Sequence, residues 1–302
     1  MSEFIKTVEK LGDDAVMDGI IDRSITEFHD DVITSLPAYT FYGCKALKTV
    51  RLPKLTVVES SVFQNCTALE EAELPLATMM WNDATNGCTS LKRVHAPLVT
   101  ELGSSAIVGC ATMKSIDFPL LKNATHCFGG FTMLESVNLP ELTTAISCFG
   151  SCPSLVDFVL PKLTELCWAF GECGMTVIND TMFPEVTKTT GRCFWYSPEL
   201  TRITFPKVVE CSEICYYCNK LVYADFPSLT KFAEPPFRDC PLETLILRSP
   251  TVCTLGGALG NKGTCYIYVP KALVNSYKSA TNWSQYANQI RAIEDYPDIT
   301  GG

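Results

Sequence analysis

The stretch FYGCKALKTVRLP, residues 41–53, decides the fold. Written as F-x-x-C-x-x-L-x-x-V-x-L-P, it returns along the chain, and its closing proline recurs at Pro53, Pro75, Pro97, Pro119, Pro140, Pro161, Pro184, Pro206, Pro227, Pro250 and Pro270. The steps between these prolines are all 20 to 23 residues. A fixed period of this length marks a solenoid, in which each repeat buries its apolar face only against its neighbours. The phrases LKTVRLP (47–53), LEEAELP (69–75), LKRVHAP (91–97), MKSIDFP (113–119), LESVNLP (134–140), LVDFVLP (155–161), LTRITFP (200–206), LVYADFP (221–227) and LETLILRSP (242–250) are the expected strands. Within V-x-L the side chains alternate across the strand, and the proline ends each contribution to the ladder. A second apolar set ends in Phe41, Phe63, Phe128, Phe149, Phe170, Phe194 and Phe237, which fill the opposite side of the interior.

The expected architecture is a β-rich solenoid of about ten coils of 21–23 residues over residues 33–263, between an N-terminal cap (1–32) and a helical C-terminal cap (264–302). In the first cap Phe4, Ile5, Val8 and Leu11 have helical spacing, and Ile20, Ile21 and Ile25 resemble strand. In the second, TCYIYVP (264–270) predicts a last strand and Pro270 a helix start, with Leu273, Val274, Tyr277 and Ala280 on one face. Trp283, Tyr286 and Ile290 continue as a second short turn. One coil breaks the rhythm: GMTVINDTMFP (174–184) places its proline eleven residues after Cys173 where nine is usual. It either bulges or kinks the solenoid, or records neutral drift.

Sixteen cysteines would suit a small disulfide scaffold, but a chain of 302 residues has core enough without one. Cys44, Cys66, Cys88, Cys110, Cys152, Cys173, Cys218 and Cys240 share one slot of the repeat, which Phe131 and Ser197 fill in two other coils. Parallel neighbours about 4.8 Å apart are too far for the roughly 3.5–4.5 Å between Cβ atoms of a disulfide, so these read as reduced core thiols. The run Cys211-Ser212-Glu213-Ile214-Cys215-Tyr216-Tyr217-Cys218 has cluster-like spacing, yet Cys218 belongs to the inward ladder and Cys215 takes a phenylalanine slot. No metal or cofactor is expected.

The net charge of −9 argues against a nucleic-acid partner, which needs clustered lysine and arginine. The start MSEFIKTVEKLGDDAVMDGI has no basic segment followed by an apolar one, and EDYPDITGG at the end carries no lipidation motif, so membrane insertion is not expected. No stretch approaches 18 apolar residues. Catalytic motifs are equally sparse. His126 adjoins Cys127 but neighbours on extended backbone face apart, and no G-x-S-x-G or phosphate-loop phrase occurs. A non-enzymatic binding protein is the expectation.

The repeat phrase, with L-T-x-V before the next coil (LTVV, 55–58), resembles the BspA-type leucine-rich repeats of bacteria. The ending YVPKALVNSYKSATNWSQYANQIRAI (268–293) resembles the cap that follows such repeats. The resemblance implies a curved leucine-rich solenoid in proteins tied to bacterial surfaces, adhesion or phage-encoded structures, with no shared catalytic residues. A protein or glycan ligand follows, at a cell surface or virion; an intracellular interaction scaffold is the alternative. The sequence specifies no oligomeric state.

Two surfaces are candidate sites. One is the outward column of the main sheet, with Arg51, Glu73, His95, Asp117, Asn138 and Asp225. The other lies just before the thiol slot, where most coils carry a small or polar pair such as Gly129-Gly130 or Gly171-Glu172. Two consecutive coils carry Trp195-Tyr196 and Tyr216-Tyr217 instead, four rings that form either an exposed aromatic strip or the filling of a wider coil.

Overall fold

The computed structural model describes residues 23–300, so the helix expected over Phe4–Leu11 and the apolar Ile20 and Ile21 lie outside the described residues. The chain forms two compact units that meet in sequence at Phe158 and Val159. Each is a parallel β-solenoid.

In the first unit the strands Glu27–His29, Thr49–Arg51, Glu71–Glu73 and Arg93–His95 pair in parallel, and Ser115–Asp117 pairs with Ser136–Asn138. Val50 faces Ala72 and Ala72 faces Val94, so the register equals the repeat. These central residues are buried while their flanks point outward. The prolines sit at the second position of a turn: Leu55 N donates to Leu52 O (3.2 Å) across Pro53, Ala77 N to Leu74 O (3.0 Å) across Pro75, and Leu121 N to Phe118 O (3.1 Å) across Pro119. A fixed φ suits that position, and the missing N–H is not needed there.

The chain then forms a second parallel ladder of short strands, Val57–Val58, Met79–Met80, Glu101–Leu102, Asn123–Thr125 and Thr144–Ile146. Between the ladders the phenylalanines stack, Phe41 on Phe63 at 5.6 Å and Phe128 on Phe149 at 5.2 Å. Each such buried ring contributes about 1.5–3 kcal/mol relative to an exposed one.

The ladder slot selects a small hydrogen-bond donor. The thiols of Cys66 and Cys88 donate to the carbonyls of Phe41 and Phe63 one coil earlier, each at 3.0 Å, and Cys152 donates to Phe128 O at 3.3 Å. In the second unit Cys218 donates to Phe194 O at 2.7 Å and the Ser197 hydroxyl to Phe170 O at 3.5 Å. Serine therefore replaces cysteine there without loss of the bond. All sixteen cysteines are free thiols and all but Cys167 are buried. A thiol reagent added to the folded protein at neutral pH is expected to label Cys167 alone, and all sixteen after denaturation; rapid labelling of Cys66 or Cys218 would contradict the ladder.

In the second unit the main sheet runs Val177–Ile178, Arg202–Thr204, Tyr223–Phe226, Thr244–Leu247, Tyr266–Val269 and Ile290–Ala292. The other ladder is Glu165–Cys167, Lys188–Thr190, Glu210–Cys211, Lys231–Phe232 and Thr254–Leu255. The expected strand at 155–161 is absent. Residues Asn179–Thr181, which would pair with its end, fold instead into a turn in which Asn179 Oδ1 accepts from Thr181 N (3.0 Å) and Met182 N (3.3 Å). The irregular coil is thus a bulge, with Asp180 and Thr181 exposed and Met182 and Phe183 returned to the core.

The C-terminal cap begins with the expected strand and a short helix, Val274–Ser279, and adds Ile290–Ala292 as an unforeseen last strand against Ile267–Val269. That strand satisfies the edge of the main sheet. Side chains satisfy the edge of the other ladder: Cys253 N donates to Tyr277 Oη (2.9 Å), Trp283 Nε1 to Cys253 O (2.6 Å), and Asn282 Nδ2 to Leu255 O (2.7 Å). Among the described residues no helix is long and apolar enough to cross a membrane.

Candidate functional site

The residue just before the ladder slot adopts left-handed backbone in coil after coil. Gly43, Gly87, Gly109 and Gly130 have φ between +67° and +75°, where glycine is at ease. Tyr196 and Tyr217 hold the same conformation at +50° and +57°. For residues other than glycine this region costs about 1–2 kcal/mol. The geometry aims both tyrosines off the surface. Their rings stack at 4.8 Å with an interplanar angle of 20°, and Tyr196 is 49% exposed. Trp195 meets Tyr196 edge-on at 5.4 Å. Its indole lies on Gly171, where an added Cβ would collide with Nε1. The small residue in that coil is the seat of the ring in the next.

Tyr216 corrects the expected strip of four exposed rings. It is 3% exposed, because arginines from neighbouring coils cover its ring. Its ring lies between the guanidiniums of Arg192 (4.8 Å) and Arg238 (5.7 Å), and its hydroxyl donates to Glu213 Oε1 at 2.6 Å. Burial, then Glu213, pushes the Tyr216 hydroxyl above the usual phenol range. Arg192 also reaches Trp168, at 5.3 Å, and Trp168 is 44% exposed. A row Trp168–Arg192–Tyr216–Arg238 thus alternates ring and cation beside the stacked tyrosines. Sequence reading missed Trp168, Arg192 and Arg238. Spacing gave no signal for them: Pro184 to Phe194 takes ten residue steps, as do Pro53 to Phe63 and Pro227 to Phe237.

The outward column divides. Arg51, Glu73 and His95 stand side by side on adjacent strands, with Glu73 held by Arg93 at 2.9 Å. Asn138 Nδ2 donates to Asp117 Oδ1 at 2.7 Å on an open surface. Such exposed pairs contribute little to stability. Asp225 corrects the expectation of an outward, solvated carboxylate. It is 7% exposed and accepts from Arg248 Nη2 (2.8 Å) and Nε (3.3 Å), and its register partner Ile246 is buried as well. Arg248, two positions beyond Ile246, folds back over the column and shields it.

The remaining chemistry-bearing groups are dispersed. Cys211 ends a strand, Cys215 fills a phenylalanine slot and Cys218 bonds to a backbone carbonyl, so the run of three thiols faces the core. The Cys127 thiol donates to Gly103 O at 3.3 Å, away from His126, whose Nδ1 lies 3.4 Å from Ser104 Oγ on open surface.

A repeat model described as the BspA type leucine rich repeat region matches six copies over residues 24–123, 81–167 and 147–257. Among solved structures the chain is similar to a leucine-rich repeat protein of Bacteroides ovatus at 16% identity, over 86% of this chain and 87% of that one, with a TM-score of 0.45. A leucine rich cell surface protein of Faecalibacterium prausnitzii is also similar, at 16% identity over 89% and 88% of the two chains, with a TM-score of 0.40. An internalin of Listeria monocytogenes is 10% identical over 89% and 86%, with a TM-score of 0.33. No curated protein matches the chain. Repeats of this kind form binding surfaces, and the solenoid is typically non-catalytic. With its period, its thiol ladder and a repeat match from residue 24 to residue 257, the chain belongs to the BspA-type leucine-rich repeat family.

Proposed function

We propose that this chain is a non-enzymatic attachment protein that grips a protein or a glycan at a cell surface or on a phage-encoded structure. The observation that carries this reading is the stacked pair Tyr196–Tyr217, two aromatic residues at a left-handed position that other coils fill with glycine or with the polar Asn65, Ser151, Glu172 and Asp239. A flat, half-wet ring surface suits the apolar face of a sugar or the side chains of a partner. Arg192 and Arg238 beside it add donors of fixed geometry.

The test is a glycan array run together with a pull-down from host-cell envelope, using the full chain and the double variant Tyr196→Ala, Tyr217→Ala. Binding is expected to fall at least about tenfold in the variant, as loss of two ring contacts requires. Undiminished binding removes the strip from the site. A second reading, an intracellular interaction scaffold, is favoured by the sixteen free thiols, which suit a reducing compartment. Fractionation of producing cells distinguishes the two, with the chain outside or in particles for attachment and in the cytosol for a scaffold.

A further inference from the structure

On the main sheet of the second unit the register sets Arg202, Tyr223, Thr244 and Tyr266 in one column, one residue per strand. Arg202 approaches Tyr223 from the strand before it, its guanidinium carbon 3.7 Å from the ring centroid. Arg291 approaches Tyr266 from the strand after it, 3.6 Å from that centroid. Each ring therefore carries a cation on its outer side and turns its other side toward Thr244. Adjacent strands lie about 4.8 Å apart, so the two tyrosines stand about 9.6 Å apart with one short side chain between them. A planar ring placed over Thr244 would lie about 4.8 Å from each, within the roughly 4.5–7 Å range of aromatic pairs. Tyr266 is 36% exposed and neither tyrosine has a ring partner among the described residues, so the slot is open to solvent.

Charge selects what enters. Arg202, Arg248 and Arg291 line this face, against Asp225, already paired with Arg248, and the exposed Glu243 next to Thr244. Arg202 and Arg291 make no ion pair among the described residues, although the chain as a whole carries a net charge of −9. A cation on the far face of each ring opposes a second cation in the slot and favours negative charge at the rim of the entering ring. The chain shows the matching chemistry in its own Glu294-Asp295-Tyr296 segment, where Tyr296 lies 5.3 Å from the Arg291 guanidinium on a stretch rich in carboxylates.

We propose that this slot receives one aromatic side chain from an acidic segment of a partner protein, with the ring between Tyr223 and Tyr266 and flanking carboxylates on Arg202 and Arg291. This site is separate from the Tyr196–Tyr217 surface, and the two fail or stand independently.

The probe is a fluorescein-labelled pentapeptide of one tyrosine flanked on each side by two aspartates, titrated into the full chain by fluorescence anisotropy. A dissociation constant below about 1 mM is expected. Leucine in place of the tyrosine, or lysines in place of the aspartates, weakens it at least about tenfold, from lost ring contacts or reversed charge. Thr244→Trp fills the slot and abolishes binding, whereas Tyr196→Ala leaves it unchanged. If Thr244→Trp alters the circular dichroism, Arg202→Gln carries the test, since it keeps both rings and removes one cation; a loss of about threefold or more is expected. No binding at about 1 mM overturns the proposal. Equal binding of the leucine peptide overturns it too, as does binding that survives both Thr244→Trp and Arg202→Gln. Self-association of the chain that Thr244→Trp abolishes would replace the partner protein with a second copy.

Discussion

Between about pH 8.5 and pH 10 this protein is expected to lose its fold, before most of its lysines and tyrosines titrate. The cause is the thiol core. Burial pushes Cys66, Cys110, Cys152, Cys193, Cys253 and Cys265 each up to about 12, and Cys215 up to about 11. Cys88, Cys148 and Cys211 are driven well above the usual thiol range by burial as well. Cys218 and Cys240 rise first through hydrogen bonding to a neighbouring thiol and then through burial. In the unfolded chain the same groups ionise near about 8.5. Below that pH both states hold the proton and the thiols do not affect the balance. Above it the unfolded state releases protons that the folded state keeps, so stability is lost as pH rises toward the folded values. One pH unit above the unfolded value each thiol costs about 1.4 kcal/mol, so the five of these in the first unit cost about 7 kcal/mol and the seven in the second about 10 kcal/mol, comparable to the roughly 5–15 kcal/mol that holds a typical domain. Circular dichroism followed against pH in a reducing buffer should collapse near about pH 9–9.5, with ultraviolet thiolate absorbance rising in the same step. A fold intact at about pH 10.5 with the thiols still protonated would mean that the unfolded chain also shields them.

The same core explains what was legible beforehand. Leucine, valine, phenylalanine and cysteine recur because every coil fills identical interior slots, so period and register could be read from the returns of FYGCKALKTVRLP along the chain. The turn at each proline and the inward thiols follow from local chemistry. The second ladder was harder to see, since strands of two or three residues such as Val57–Val58 are too short to show alternation. Slot position also says nothing of what a neighbouring coil lays over a side chain. Asp225 occupies the outward slot, yet Arg248 shields it; Tyr216 shares a pair with Tyr217, yet two arginines from adjacent coils enclose it. The Tyr223–Tyr266 slot needed the same kind of information, because the arginines that back its rings come from different strands. Contacts between coils set the candidate sites, and a repeat alignment contains contacts only within its period.

Trp283→Ala is expected to release the C-terminal coils while leaving the first unit folded. Trp283 is fully buried in the cap, 5.3 Å from the Tyr277 ring, and its Nε1 donates to Cys253 O, just before the outermost strand of its ladder. Truncating a buried tryptophan costs about 3–5 kcal/mol. A buried carbonyl left without a donor adds about 1–3 kcal/mol. In a solenoid each coil is stabilised by its neighbours, so an unsatisfied end propagates inward by steps instead of unfolding the whole chain at once. Hydrogen exchange should therefore accelerate at Thr254–Leu255 and Tyr266–Val269 and remain slow at Thr49–Arg51 and Glu71–Glu73. Tyr277→Phe is the milder companion. It keeps the ring and removes only the oxygen that accepts from Cys253 N, so its cost is limited to about 1–3 kcal/mol for the orphaned donor. Uniform acceleration across both units in Trp283→Ala would show that the chain unfolds as one cooperative body. Unchanged exchange near Cys253 would show that Ile290–Ala292 closes the end of the solenoid without help from the tryptophan.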